Sequence, residues 1–463
     1  MKKPFVFLAL LLVALTVAAD AADALDKALK SLPGVTRVET LESADGVAKR
    51  LVMFEQPIDP PDSCEGMFEQ RLVIRHRGFD RPTVIVTEGY NNEYALHPRY
   101  TEELSELLEA NVIMTEHRFN GASSPITQQG LTGNAAYESE LWKYLTVKNS
   151  AYDYHHIRTL FGKLYKGKWF STGISKGGQT ALFYRTFFPD DVVANVSYVA
   201  PLNKALEDGR HEVFLDTVGT PEAREKIRYF QLTALLSKAE LLPKLEEYVA
   251  SKGYTFRVPL EEVFDLMVLE YPFAFWQWGD DLATVPETRT RLVPKAKKRR
   301  GKPDVEMVVP EMDADELFRS MLEKCEPNYF ARETPYVPFN VQAMREIGYY
   351  GYDVAPFGGL LSRPTYEGYM RRVMIPEELS FIEFKGDLYE QCCRFLRERD
   401  IPAMFIYGEW DPWSATRVVL PAPKKHMHVF IQPEGSHRSR INTMPEAMRD
   451  EIVTILKVWA GEN

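Results

Sequence analysis

The run Trp169-Phe-Ser-Thr-Gly-Ile-Ser-Lys-Gly-Gly-Gln-Thr-Ala-Leu-Phe constrains this chain most, because one short piece must be strand, tight turn and helix in succession. The residues up to Thr172 have the continuous apolar pattern of a strand buried on both faces. From Lys176 onward the pattern suits a helix. Between them, Gly173-Ile174-Ser175-Lys176-Gly177 sets a serine between two glycines. A Cβ at either glycine would clash where strand and helix meet. With both removed, the serine hydroxyl stands clear of the backbone, and the free N–H groups of the new helix face it. This is a G-x-S-x-G nucleophile elbow in the strand–turn–helix context that gives the motif its meaning.

The flanking sequence supports that context. Two strands are expected in ADGVAKRLVMFEQPID and MFEQRLVIRHR, and two buried ones in PTVIVTEGY (82–90) and ANVIMTEHRF (110–119). Helical patterns over about 98–109 and 136–165 separate these from the elbow strand, and VVANVSYVAP follows the elbow helix. Strand–helix alternation predicts a doubly wound α/β sheet. From Leu202 to Asp400 the pattern turns mainly helical and aromatic-rich. Strand character returns in PAMFIYGEWD (402–411) and HMHVFIQPEGSH (426–437), and a helix over 445–460 closes the chain. The expected architecture is an α/β-hydrolase fold with a large helical cap inserted between late strands. Its parts are a signal peptide at 1–21, sheet domain at 22–201 and 401–463, and cap at 202–400. The basic stretch VPKAKKRRGKPD (293–304) reads as a solvated loop.

The formal net charge of −10 argues against nucleic acid as a partner. Lys2 and Lys3 precede an apolar run from Phe5 to Ala19, and small residues follow, the pattern of a secretory signal cleaved after Ala19 or Ala21. The protein is therefore expected to be secreted or periplasmic, with no stable membrane association. Four cysteines, Cys64, Cys325, Cys392 and Cys393, suit at most a bridge from Cys392 or Cys393 to Cys325 or Cys64. None has zinc-site spacing, so no metal and no cofactor are expected. His426 and His428 share a strand face without nearby carboxylates.

A serine hydroxyl needs a base, and the base an orienting acid. In this fold their chain order is Ser, acid, His. Asp411 ends one late strand and His437 follows the last one. Two N–H groups must hold the oxyanion. One is that of Lys176; the other belongs to the loop TEGYNN, through the Tyr90 or Asn91 amide. Tyr90 also offers its hydroxyl.

Taken together, EGYN, EHRFNGASSP, GISKGG, VLEYPFAFWQWG, GEWDPWSA and GSHRSRI resemble the S37 family of serine peptidases, the prolyl tri- and tetrapeptidyl aminopeptidases. EHRFNGASSP and DPW also resemble the related S28 group. The S37 resemblance covers nearly the whole chain after the signal; KAKKRRGK departs from it. It implies Ser175 as nucleophile, His437 as base and Asp411 as its partner. It further implies cleavage after proline, release of short N-terminal peptides and a cap over the site. A proline ring suits aromatic walls, for which Trp410 and Trp413, beside Asp411, and Phe273, Phe275 and Trp276 are candidates. A substrate ammonium needs a carboxylate. Glu116 is one candidate, although an ion pair with Arg118 would occupy it; a carboxylate of the cap is another. An esterase or lipase using the same triad, or a non-catalytic binding protein on this fold, are the competing readings.

Overall fold

The computed structural model describes residues 23–287, 289–294, 306–311 and 313–461. The expected signal peptide, and the basic stretch from Lys295 to its end, lie outside the described residues. The strands are β1 Val35–Leu41, β2 Ala48–Asp59, β3 Asp62–His76, β4 Thr83–Thr87, β5 Asn111–Thr115, β6 Trp169–Ile174, β7 Ala194–Tyr198, β8 Arg289–Pro294, β9 Glu306–Glu311, β10 Ala403–Gly408 and β11 Met427–Gln432. Helices used below are α1 Glu103–Leu107, α2 Val147–Phe161, α3 Lys176–Phe187, α4 Pro221–Leu236, α5 Lys238–Lys252, α6 Leu260–Trp278, α7 Ala314–Lys324, α8 Asp387–Glu398 and α9 Glu446–Ala460.

One nine-stranded sheet runs β1-β2-β3-β5-β4-β6-β7-β10-β11. β1, β2, β3 and β5 pair antiparallel in turn, and every neighbour from β5 to β11 is parallel. This is the α/β-hydrolase arrangement. The chain leaves β4 for β5 on one side and reaches β6 on the other, so β4 and β6 flank the switch in strand order. Ligands of such sheets bind in the crevice at the carboxyl ends of the strands at that switch. The register sets Val86 beside Thr172 and Ile174 beside Tyr198, which brings the loop after β4 and the elbow after β6 together.

The parallel strands β4, β5, β7 and β10 are buried along their whole length, hence their largely apolar runs, whereas edge strand β11 is buried only at Met427 and Phe430. On one face Tyr154, Ile157 and Phe161 of α2 cover Ile85, Ile113 and Trp169. On the other, Leu104 of α1 and Ile452 and Leu456 of α9 cover Val84, Phe170, Val196 and Ile406. Among the described residues, no strand of the sheet comes from the segment between β7 and β10. That segment builds most of a second core from α4 to α7, including Phe230, Leu245, Phe264, Tyr271 and Leu317, which also takes in Ile58, Phe68 and Trp142 from outside it. Among the described residues, no helix is long and apolar enough to cross a membrane.

The structure departs from the sequence reading in several places. β1 was not expected; its exposed, polar residues carry little strand signal, and pairing with β2 is what makes it a strand. The helix expected over 136–165 is broken, because Ser139 and Thr146 each cap a new start with a side-chain oxygen. β8 and β9 form an antiparallel hairpin inside the largely helical segment. Phe395 and Leu396 of α8 pack with Leu182, Phe405 and Tyr407, so a boundary at 400 would sever this helix from the sheet it covers. All four cysteines are free thiols, which corrects the expected bridge. Cys325 lies in the inserted core and Cys392 between α8 and the sheet, so the two are buried in different clusters.

Candidate active site

Ser175 sits between β6 and α3 with φ 57° and ψ −122°, a conformation that costs an L residue on the order of 1–3 kcal/mol. Its neighbours hold it there. Its N–H donates to the Tyr198 carbonyl at 2.8 Å, and its carbonyl accepts the Gln179 N–H at 2.9 Å. A Cβ on Gly173 would fall 2.2 Å from the Gly177 carbonyl oxygen, and one on Gly177 would fall 2.7 Å from that of Thr87. Both glycines are therefore required by contact between backbones. Ser175 itself is half-buried, at the open end of the sheet.

Asp411 follows β10 and is fully buried. One carboxylate oxygen accepts the Trp413 N–H at 3.2 Å, and the other lies 2.8 Å from Nδ1 of His437. That pairing puts the imidazole proton on Nδ1 and leaves Nε2 as an acceptor. The His437 N–H donates to the Gln277 carbonyl at 2.9 Å, and the Trp278 ring stands edge-on 6.0 Å from the imidazole. The end of α6 thus fixes the histidine loop from the inserted segment. Among the described residues no hydrogen bond joins Ser175 to His437; such bonds often form only once substrate is bound.

The loop after β4 leans against the start of α3. Thr87 Oγ1 donates to the Gly177 carbonyl at 2.9 Å, and the Tyr154 hydroxyl to the Glu88 carbonyl at 3.1 Å. Lys176 Nζ donates to the Gly89 carbonyl at 2.6 Å and lies 5.6 Å from the centre of the Tyr90 ring. The two residues expected around an oxyanion are therefore together. Burial lowers the Lys176 pKa to about 7, against the opposing pull of Glu88. Burial also raises the Glu88 carboxyl, opposed by the Tyr94 hydroxyl, then the Gly89 amide and Lys176, and least by the Tyr90 amide. The Tyr90 ring packs on Tyr336 and Phe339, and burial raises its hydroxyl well above the usual range, so it stays a neutral phenol.

Glu116 is not available to a substrate, contrary to the sequence expectation. It is fully buried, and both its oxygens are engaged: by Arg71 at 2.5 Å and the Asn92 N–H at 3.2 Å on one, by the Ser123 hydroxyl at 2.7 Å on the other. Burial raises its carboxyl while Ser123 and Arg71 oppose the shift. Arg118, the partner foreseen for it, pairs with Asp153 at 2.7 Å instead.

Trp413 is 8% exposed and packs on Phe273, Tyr349 and Tyr350, with its centre 6.4 Å from that of the His437 ring. It backs the histidine and leaves little surface for a ligand. Half-buried Trp410 meets Trp276 edge-on at 5.6 Å and has more surface to offer. Phe273, Phe275 and Trp276 belong to the inserted core.

The sequence reading missed Glu270. It is half-buried on α6 and accepts the hydroxyls of Tyr350 at 2.9 Å and Tyr352 at 2.8 Å. Tyr350 in turn packs edge-on against Trp413 at 5.3 Å. Burial pushes the Glu270 pKa up to about 7, opposed by the two hydroxyls. A carboxylate in the middle of the apolar stretch LMVLEYPFAFWQW was the available signal.

A family description, PS-10 peptidase S37, matches residues 18–463. A prolyl tri/tetrapeptidyl aminopeptidase of Streptomyces mobaraensis is 28% identical over 430 residues, covering 89% of this chain and 80% of that protein. Two solved structures with a similar fold are VinJ (11% identity, TM-score 0.38, covering 92% of this chain and 99% of that one) and the proline iminopeptidase of Mycobacterium smegmatis (12%, 0.37, 92% and 99%). Those two likenesses are too loose to bear on the site. The family match spans the sheet, the inserted segment and the loops of Ser175, Asp411 and His437 alike, and by it the chain belongs to the PS-10 peptidase S37 family of serine peptidases.

Proposed function

We propose that the protein is an exopeptidase that cuts after proline near the free N-terminus of a peptide, through an acyl-enzyme on Ser175. The observation that carries this is the Asp411–His437 pair, hydrogen-bonded at 2.8 Å at the strand ends that also bear the elbow serine. His437 Nε2 takes the Ser175 proton as Oγ attacks the carbonyl carbon, and the Lys176 and Tyr90 amides hold the oxyanion. The proton passes to the leaving amine as the C–N bond breaks. Water then attacks the ester by the same route in reverse and frees the acid.

The finer specificity has three supports. The segment 202–400, acting as a cap, meets the histidine loop through Gln277 and Trp278, which limits how much peptide extends past the site. Trp410 and the rings behind it suit a flat proline ring. With Glu116 enclosed, Glu270 is the carboxylate we assign to the substrate ammonium, because Tyr350 joins it to the Trp413 wall.

The test compares Ala-Ala-Pro-arylamide, its N-acetylated form, an Ala-Ala-Ala analogue and a short-chain nitrophenyl ester. Acetylation removes the charge that a half-buried carboxylate would pair with, leaving that carboxylate unmatched. kcat/KM should fall by at least about a hundredfold, and Glu270→Gln should remove most of that difference, at about 1.4 kcal/mol per factor of ten. Equal rates on free and acetylated peptides would defeat the aminopeptidase reading, equal rates on alanine the proline preference. Turnover of the ester alone would favour an esterase.

We place the protein outside the cytoplasm, in a periplasm or secreted, on the strength of the Lys2-Lys3 and Phe5–Ala19 pattern. The mature chain should begin after Ala19 or Ala21; N-terminal sequencing of exported protein that still starts at Met1 would overturn this.

A further inference from the structure

We infer that the Lys176 side chain is a positioning residue: it holds the Gly89 carbonyl and thereby aims the Tyr90 N–H at the oxyanion. This rests on the proposed acyl-enzyme route, and it concerns the lysine's side chain rather than its amide.

The first reason is that the lysine is in an expensive place. It is 2% exposed, its Nζ is committed to the Gly89 carbonyl at 2.6 Å, and among the described residues it forms no ion pair. A buried ammonium without a matched carboxylate costs several kcal/mol that an apolar side chain of the same length would not. Packing alone does not account for it.

The second reason is where the stem lies. A Cβ on Gly89 would fall 2.7 Å from both Cβ and Cγ of Lys176 and 2.9 Å from the Gly177 nitrogen. The loop therefore rests directly on the lysine stem and on the first turn of α3, with the ammonium beneath the Tyr90 ring at 5.6 Å. Only a glycine at 89 permits this approach.

The third reason is the planarity of the peptide unit. The carbonyl of Gly89 and the N–H of Tyr90 belong to one rigid trans amide and point in opposite directions. Fixing the first fixes the second. The neighbouring units are held by other groups: the Glu88 carbonyl by the Tyr154 hydroxyl at 3.1 Å, and the Tyr90 carbonyl by the His117 N–H at 3.0 Å. In the unit between them, Lys176 holds the carbonyl, and the Tyr90 N–H also lies toward the Glu88 carboxyl. Glu88 on the same loop and His117 on the next face the ammonium, and both feel its charge. A neutral amine donates this hydrogen bond as well, so the proposal does not depend on the charge state.

The experiment is Lys176→Met, which keeps the stem and removes the donor. kcat on Ala-Ala-Pro-arylamide should fall about ten- to a hundredfold, part of the 10²–10³ that follows outright loss of an oxyanion donor, with KM nearly unchanged. Inhibition by Ala-Ala-prolinal, whose adduct on Ser175 carries the oxyanion, should weaken by the same factor. Inhibition by the product Ala-Ala-Pro should not move. The melting temperature should hold or rise, because a buried charge is gone. Unchanged kcat, or aldehyde and product weakened alike, would overturn the proposal. A lower melting temperature or failure to fold would also overturn it and make Lys176 structural. If the wild type cleaves only the nitrophenyl ester, the proposed specificity fails, and the lysine is tested with that ester and an aldehyde of its acyl group instead.

Discussion

Ser175→Ala should lower kcat on a peptide substrate by roughly 10⁵–10⁶ while the protein stays folded. The size follows from what remains. His437 and Asp411 would still be paired, and the Lys176 and Tyr90 amides would still face the carbonyl, but no atom could form the acyl bond. Residual turnover would come from binding and the oxyanion donors, worth on the order of 10³–10⁴ over water in comparable sites. The fold should survive for a specific reason. The backbone strain at φ 57° belongs to any L residue and is imposed by the Tyr198 and Gln179 backbone bonds, which alanine keeps. Thermal melting and peptide turnover, measured on one preparation, test both halves. A variant within a hundredfold of wild-type rate would remove Ser175 from the mechanism. Loss of labelling by a fluorophosphonate probe should accompany loss of turnover.

What the sequence made legible was local. The buried strands β4 to β7 announced themselves because both their faces are covered, so their apolar residues do not alternate with charged ones, and the polar residues among them, such as Thr87, Ser171, Asn195 and Ser197, are themselves buried. The elbow was legible because a G-x-S-x-G turn between strand and helix is a local pattern, although the contact that requires Gly177 comes from Thr87, far away in the chain. Asp411 and His437 could be placed because each ends a recognisable strand. The failures at the site depend on partners far away in sequence, whereas the broken helix over 136–165 turned on local caps at Ser139 and Thr146. Glu116 and Arg118 read as same-face neighbours on a strand, but β5 stops at Thr115. Beyond that point the two-residue period no longer applies, and Arg118 turns to Asp153 on α2 while Arg71 arrives from β3. The cysteines failed likewise, since spacing does not say which core a thiol will enter. Trp413 lies with its ring centre 6.4 Å from that of His437, but the rings of Phe273, Tyr349 and Tyr350 that enclose it come from segments the sequence could not bring together.

Asp411→Asn should lower kcat by about 10⁴, the loss that follows this exchange in a comparable triad, and change KM little. The hydrogen bonds around Asp411 explain why so small a substitution does so much. Both its oxygens accept: one from the Trp413 N–H at 3.2 Å, the other from His437 Nδ1 at 2.8 Å. An asparagine offers one oxygen and one NH₂. If the oxygen keeps the Trp413 amide, the NH₂ confronts Nδ1, which must then give up its proton and accept. The imidazole proton moves to Nε2, and the atom that has to take the Ser175 proton can no longer do so. If the amide turns the other way, two N–H groups face each other at Trp413 in a fully buried place, a loss of about 1–3 kcal/mol. The first arrangement is the less costly, so the protein should fold with the wrong tautomer. Fluorophosphonate labelling of Ser175 should slow in step with turnover, because both need the same base, whereas inhibition by the product Ala-Ala-Pro should stay as it was. A variant within tenfold of wild type in kcat would mean that Asp411 orients the loop and not the base.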